Sequence, residues 1–246
     1  MGIKIENINL KHDDKYIFEN LTVTIPYKKI IGLCGNKKDE FINLLKTKDF
    51  NTGKLLDDDD FLINMLVVDD YDDFVTNYIL DELVIKINYD NEKQKEIEDI
   101  LGKFDLDSTY INQNINNSSI LERKLLKVII AMYSTSKTIT FIDLFDGIGY
   151  RNKMSLIKLL KKIKKNYNKT IIVCDNDMDC IDSLVDYLLI VDSNLVVIDH
   201  IDNIFNNENI DKVNIEYPKL IKIKKILEKK GKDTTNIKSI SDLLRK

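Results

Sequence analysis

The residues with the clearest chemical potential lie between an apolar run, Lys29-Ile30-Ile31-Gly32-Leu33-Cys34, and a stretch with helical spacing that begins near Phe41. They read Gly35-Asn36-Lys37-Lys38-Asp39-Glu40-Phe41. A strand, a glycine, lysines and then a helix are the parts of a phosphate-binding loop. Such a loop needs glycines to aim backbone N–H groups, a lysine for the outer phosphates and a hydroxyl for Mg²⁺. Here one glycine remains, no Gly-Lys-Ser/Thr is present, and the loop reads as shortened. Lys37 or Lys38 could imitate the lysine, but nothing replaces the glycine nest. Asp39 and Glu40 put negative charge where phosphate would sit. Carboxylates at a helix N-terminus answer its free N–H groups and dipole, by roughly 0.3–1 kcal/mol each. Asp39 and Glu40 could therefore stand in for an anionic ligand, or be ordinary first-turn acids. Asn117-Ser118-Ser119, with Glu122 three residues after Ser119, reads as a capping box at the start of a helix.

The composition fits this scarcity of phosphate-cradling residues. The chain has 246 residues and only 8 Gly, where average usage would give roughly 17. Lys and Arg number 37 against 41 Asp and Glu, a net charge of −4. That balance argues against a dedicated nucleic-acid binder, which carries a basic face. Cys34, Cys174 and Cys180 do not match a zinc spacing and point to a reduced, cytosolic chain. Met1–Leu10 alternates rather than forming the apolar block of a signal peptide. No apolar run approaches the 18 residues or so of a membrane span.

Positioning these residues requires an α/β scaffold. Ile3, Ile5, Ile8 and Leu10 alternate roughly, and Leu21, Val23 and Ile25 alternate cleanly up to Pro26. Asp57–Asp60 reads as a solvated turn, followed by a buried strand at Met65–Val68. Residues 78–135 carry helical spacing, including Ile97, Ile100, Leu101 and Phe104, then Leu121, Leu125, Val128 and Ile129. Lys137–Asp143 and Lys169–Cys174 read as buried strands flanking an amphipathic helix over 152–166. Two more strands, Leu188–Val191 and Leu195–Ile198, follow. This alternation predicts parallel strands with helices on their faces. After Phe205 the composition shifts to a polar stretch. A basic amphipathic helix then spans Lys219–Lys230, closed by Gly231, and a short helix covers 239–244. The predicted division is a domain over 1–208, with a helical subdomain at about 78–135, and an extension over 209–246.

Three local stretches point to a known family. They are Asp72-Asp73-Phe74-Val75-Thr76-Asn77; Asn168–Val173 with Asp177-Met178-Asp179; and the tail from Pro218 through Leu220, Ile223, Leu227, Lys230-Gly231, Ser239 and Leu243-Leu244. Together they resemble an ABC transporter nucleotide-binding subunit, most like an energy-coupling factor (ECF) transporter ATPase. The resemblance implies an ABC-type P-loop NTPase fold, a mixed-sheet core with a helical subdomain, plus a small helical extension. It also places Asp143 at the Walker B aspartate, which supports Mg²⁺ through water, and Leu144 where the family has its water-orienting glutamate. Leucine can neither accept a proton nor align a water. Asp69 falls at the Q-loop glutamine, Asn176 at the switch histidine and His12 near the adenine-stacking aromatic. Asn117–Leu121 replaces the signature loop, keeping Ser118 and losing both glycines. Losing one electrostatic donor at a reacting centre typically costs about 10²–10³ in rate, and here several fail together.

The resemblance therefore implies a catalytically degenerate subunit with no catalytic residues at its own site and no required cofactor. It would be a structural or regulatory half of a membrane transport complex for vitamins or other micronutrients. Gly35, Lys37, Lys38 and His12 remain as a weak nucleotide site, and Asp143 and Asp69 as weak metal contacts. Leu144 and Phe145 would fill the vacated site or be buried within the chain. Asp72, Phe74 and Asn77 would contact an ECF-type transmembrane component. Pro218, Leu220, Leu227 and Leu243 would contact an intact ABC ATPase paralogue or a second copy, on the cytoplasmic face of the membrane. One alternative is a divergent active ATPase that uses ATP and Mg²⁺. Another is a soluble interaction module that kept the fold and left transport.

Overall fold

A computed structural model describes residues 1–69, 74–193, 195–207, 209–210, 213, 215–234, 237 and 242. Two sheets organise it. Strands β1 (Gly2–His12), β2 (Lys15–Pro26) and β4 (Thr52–Leu56) form a small antiparallel sheet in the order β2-β1-β4. The larger sheet contains β3 (Ile30–Cys34), β5 (Leu66–Val68), β6 (Thr138–Ile142), β7 (Thr170–Cys174), β8 (Tyr187–Asp192) and β9 (Leu195–His200). Its order is β5-β6-β7-β3-β8-β9, parallel as far as β8, with β9 antiparallel. The parallel part agrees with the alternation in sequence; the small antiparallel sheet is additional.

Both faces of the large sheet are covered, so its strands read as unbroken apolar runs. Ile171 and Val173 of β7 face one core; Ile172 and Cys174 face the other. The second core is closed by the small sheet and by α1 (Lys38–Thr47), which buries Phe41, Ile42, Leu44 and Leu45. In β1 the rough alternation has a local cause. Asn7 sits at φ 49° and the register shifts between Ile5 and Ile8, so both isoleucines point inward.

The first core receives the helices. Residues 78–135 form α2 (Ile79–Ile87), α3 (Asn91–Gly102), two 3₁₀ turns (Ser108–Asn112, Ile115–Asn117) and α4 (Ile120–Tyr133). α5 (Tyr150–Tyr167) buries Leu156, Ile157, Leu159, Leu160 and Ile163, while Met154 is half-exposed. Three short or terminal helices follow: α6 (Met178–Leu184), α7 (Ile201–Ile204) and α8 (Lys219–Lys229). Glu96 of α3 ties the helical region to α5, accepting from Lys162 Nζ (2.6 Å) and Tyr167 Oη (2.7 Å). The turn at Asp57–Asp60 is more than solvated surface. The Asp57 carboxylate accepts from Tyr27 Oη and from the N–H groups of Phe61 and Leu62. No helix among the described residues is long and apolar enough to cross a membrane.

Candidate functional site

The C-terminal ends of β3, β7 and β8 open onto a cleft of about 500 Å³. Gly35, Asn36, Lys38, Asp175, Asn176, Asp192 and Glu216 line it. Three residues, Gly35, Asn36 and Lys37, separate the end of β3 at Cys34 from the start of α1 at Lys38, fewer than the pattern G-x-x-x-x-G-K-[ST] places between strand and helix. Gly32 lies inside β3 against Ile181 and Leu188, so Gly35 is the one glycine of the loop.

The loop backbone is bonded to the end of β8. Lys37 N–H donates to the Val191 carbonyl (3.1 Å), and Asn36 N–H reaches the Asp192 carboxylate (3.4 Å). Asn36 Oδ1 accepts from the Ser193 N–H at 3.1 Å. Gly35 is needed for this closeness: its φ is +109°, and a Cβ there would lie 2.1 Å from the Val191 oxygen. The Lys37 ammonium pairs with Glu40 at 2.9 Å. Lys37, at the N-cap of α1, makes no side-chain cap bond, and Asp39 and Glu40 both lie in the first helical turn.

Carboxylates outnumber ammonium groups in the cleft, Asp175, Asp192 and Glu216 facing Lys38. Burial raises the pKa of Asp175, and the charges of Asp143 and Asp177 add to the shift. Its oxygens accept from the N–H groups of Phe145 (2.7 Å) and Asp177 (2.9 Å). Burial also pushes the Cys34 thiol to about 12, so it stays protonated at neutral pH.

This strand order and cleft have counterparts among solved structures. An ATP-binding cassette of an ABC transporter superposes with a TM-score of 0.70 at 14% identity, over 88% of this chain and 100% of that one. A structure of an ATP-binding cassette in its ADP conformation gives 0.67 at 12%, over 86% and 97%. An ATP-binding subunit of an ABC transporter gives 0.68 at 11%, over 84% and 92%. The chain has the ATP-binding cassette fold. In sequence, 86 residues are 34% identical to the energy-coupling factor transporter ATP-binding protein EcfA2 of Staphylococcus epidermidis. That match spans 34% of this chain and 30% of the relative's own length. No family model matches the chain.

Within the cassette, the expected nucleotide residues divide. Gly35, Lys38 and Asn176 line the cleft; Lys37, His12, Asp143 and Asp69 do not. His12 lies at the tip of the β1–β2 hairpin beside Asp13 (3.5 Å), its side chain 80% exposed. The Asp69 carbonyl accepts from Lys127 Nζ. Among the described residues no group of three or more His, Cys, Asp or Glu side chains could hold a metal ion.

The turn after β6 is fixed from beneath. Asp143 takes a left-handed φ of 50° and its N–H bonds the Cys174 carbonyl at 2.8 Å. Lys124, buried in α4, donates to the carbonyls of Asp143 (2.6 Å) and Asp146 (2.9 Å). Sequence reading passed over Lys124, although its spacing from Leu121 and Val128 puts it on the inward face of that helix. Leu144 and Phe145 are 4% and 0% exposed and belong to the cassette's own core. Burial within the chain is thus their role.

At the stretch expected to replace the signature loop, Ser118 turns its hydroxyl inward. The Ser118 hydroxyl is buried beside that of Tyr110. Ser119 and Glu122 form the expected capping box, with Glu122 Oε2 accepting from Ser119 N–H at 2.6 Å. Ser119→Ala is expected to cost about 0.5–2 kcal/mol, read as a lower chemical-denaturation midpoint with unchanged m-value.

The expected interface residues also divide. Phe74 is half-buried, with the Arg123 guanidinium 5.5 Å and the Lys127 ammonium 5.6 Å from its ring centre. Asn77 is exposed, its carbonyl accepting from Ile115 N–H. Pro218 is buried inside its own chain. Leu220 and Leu227 are half-buried, and Leu220 shares a pocket with Met154 and Cys180. Beside them the Asp179 carboxylate accepts from both the N–H (2.8 Å) and the Nζ (2.9 Å) of Lys219, fastening α8 to α6. Asp72, Leu243 and the helix expected over 239–244 lie outside the described residues, save Asp242.

Proposed function

We propose that this cassette is a catalytically degenerate ECF-type subunit that serves as a structural or regulatory half of a membrane transport complex. The observation that carries the reading is the bonding of the β3–α1 loop to β8. N–H groups of Asn36 and Lys37 are committed to protein acceptors, where a phosphate loop directs its N–H groups at ligand. The residues present do not fit a Mg²⁺-nucleotide: three carboxylates face one ammonium in the cleft, and no Ser or Thr follows Lys37-Lys38 to supply the Mg²⁺ hydroxyl. The local similarity to the EcfA2 protein favours an ECF-type transmembrane component as partner, alongside an intact ATPase or a second copy. Vitamins or other micronutrients are the cargo class such a partner would carry.

A MgATP titration by calorimetry, with a steady-state hydrolysis assay, is expected to show no saturable micromolar binding and no turnover above a protein-free control. A second reading, a divergent active ATPase, draws support from Lys38 at the cleft and from Asp143 after β6. Micromolar binding with turnover would establish it and remove the first. Affinity capture from the native membrane fraction separates transport from other roles: an ECF transmembrane subunit is the expected companion.

A further inference from the structure

On the side of the molecule formed by α3 and α5, a separate cavity of about 370 Å³ is lined by Ile100, Lys103, Phe104, Ser155, Lys158, Leu159 and Lys162. We propose that this cavity is a binding site for a small phosphate monoester carrying an aromatic or short apolar group. Its floor is apolar, since Ile100, Phe104 and Leu159 are at most 5% exposed. Its walls include Lys103, which closes α3, and Lys158 and Lys162 of α5, on a chain whose overall charge is −4.

The charges are only partly answered within the chain. Lys162 pairs with Glu96 at 2.6 Å. Lys103 and Lys158 form no ion pair with an acidic side chain among the described residues. Lys103 closes α3, where the helix dipole favours a cation. No such reason applies to Lys158, which lies in mid-α5 four residues before Lys162. Glu96 already answers Lys162, so a ligand anion at the cavity would chiefly answer Lys103 and Lys158. Lysine ammoniums act as compact point charges suited to phosphate. The Ser155 hydroxyl, one turn before Lys158, adds a neutral donor. The volume falls within the usual range for small-molecule sites, about 300–1,000 Å³.

The test uses the full chain with phenyl phosphate, inorganic phosphate and vesicles of anionic phospholipid, followed by calorimetry and by NMR shifts. Phenyl phosphate is expected to bind saturably, more tightly than inorganic phosphate, which should compete with it. Lys158→Glu and Lys103→Gln are each expected to weaken binding about tenfold or more. Lys165→Glu, an exposed change elsewhere on α5, should leave it unchanged, and circular dichroism checks that each variant is folded. Non-saturable phenyl phosphate binding, or binding indifferent to Lys158→Glu, overturns the proposal. Binding to the vesicles alone overturns it as well, because the lysines would then serve a membrane surface.

Discussion

Leu144→Glu, which supplies the carboxylate that an active cassette carries after its Walker B aspartate, is expected to lower stability by about 3–5 kcal/mol and to leave hydrolysis absent. Leu144 is 4% exposed and packs in the helix-side core with Phe145 and Ile148. The preceding turn cannot easily rotate to free it: Lys124 holds the carbonyls of Asp143 and Asp146, and Asp175 holds the Phe145 N–H. A carboxylate at 144 would meet apolar side chains and would have to protonate or distort the turn. Leu144→Met, which conserves volume, should cost less than about 1.5 kcal/mol and serves as the control. Urea unfolding of the two variants beside wild type, with hydrolysis measured in parallel, decides the matter. A stable glutamate variant with new turnover would show that position 144 faces an open catalytic site.

The same turn shows how far sequence reading reaches. The apolar runs of β3, β6, β7 and β8 were legible because burial on both faces leaves no polar alternation. Ser119 with Glu122 was legible because a capping box is a local contact between residues three apart. Lys124 and Lys169 were not. Each is a charged residue buried by tertiary packing, Lys169 donating to the carbonyls of Ser134 and Ser136. Only the acceptors brought there by the fold make such burial affordable. The inward turn of Ser118 likewise depends on Tyr110 in a neighbouring 3₁₀ turn. The cleft was found in the right place because a strand, a loop and a helix are local signals. The commitment of the loop to Val191 and Asp192, more than 150 residues away in sequence, has no local signature.

That long-range commitment yields the second large effect. Gly35→Ala is expected to destabilise the chain by about 2–6 kcal/mol, combining about 1–3 for a non-glycine residue held in a sparsely populated backbone region with about 1–3 for overpacking. The added methyl carbon would lie 2.1 Å from the Val191 oxygen, 2.6 Å from its carbonyl carbon and 3.0 Å from its nitrogen. All three are backbone atoms of a central strand, with β3 and β9 on either side, so they cannot swing aside as a flexible side chain would. The result separates two reasons for keeping a glycine here. If Gly35 served only to admit a phosphate, alanine would cost little in nucleotide-free protein and would show itself only in ligand affinity. If it serves the contact between the β3–α1 loop and β8, the whole penalty appears without any ligand. Thermal or urea unfolding of Gly35→Ala in nucleotide-free buffer, repeated with MgATP, distinguishes them. The geometry predicts the full loss in the first measurement and no difference in the second, because the space beside Gly35 is already filled by Val191.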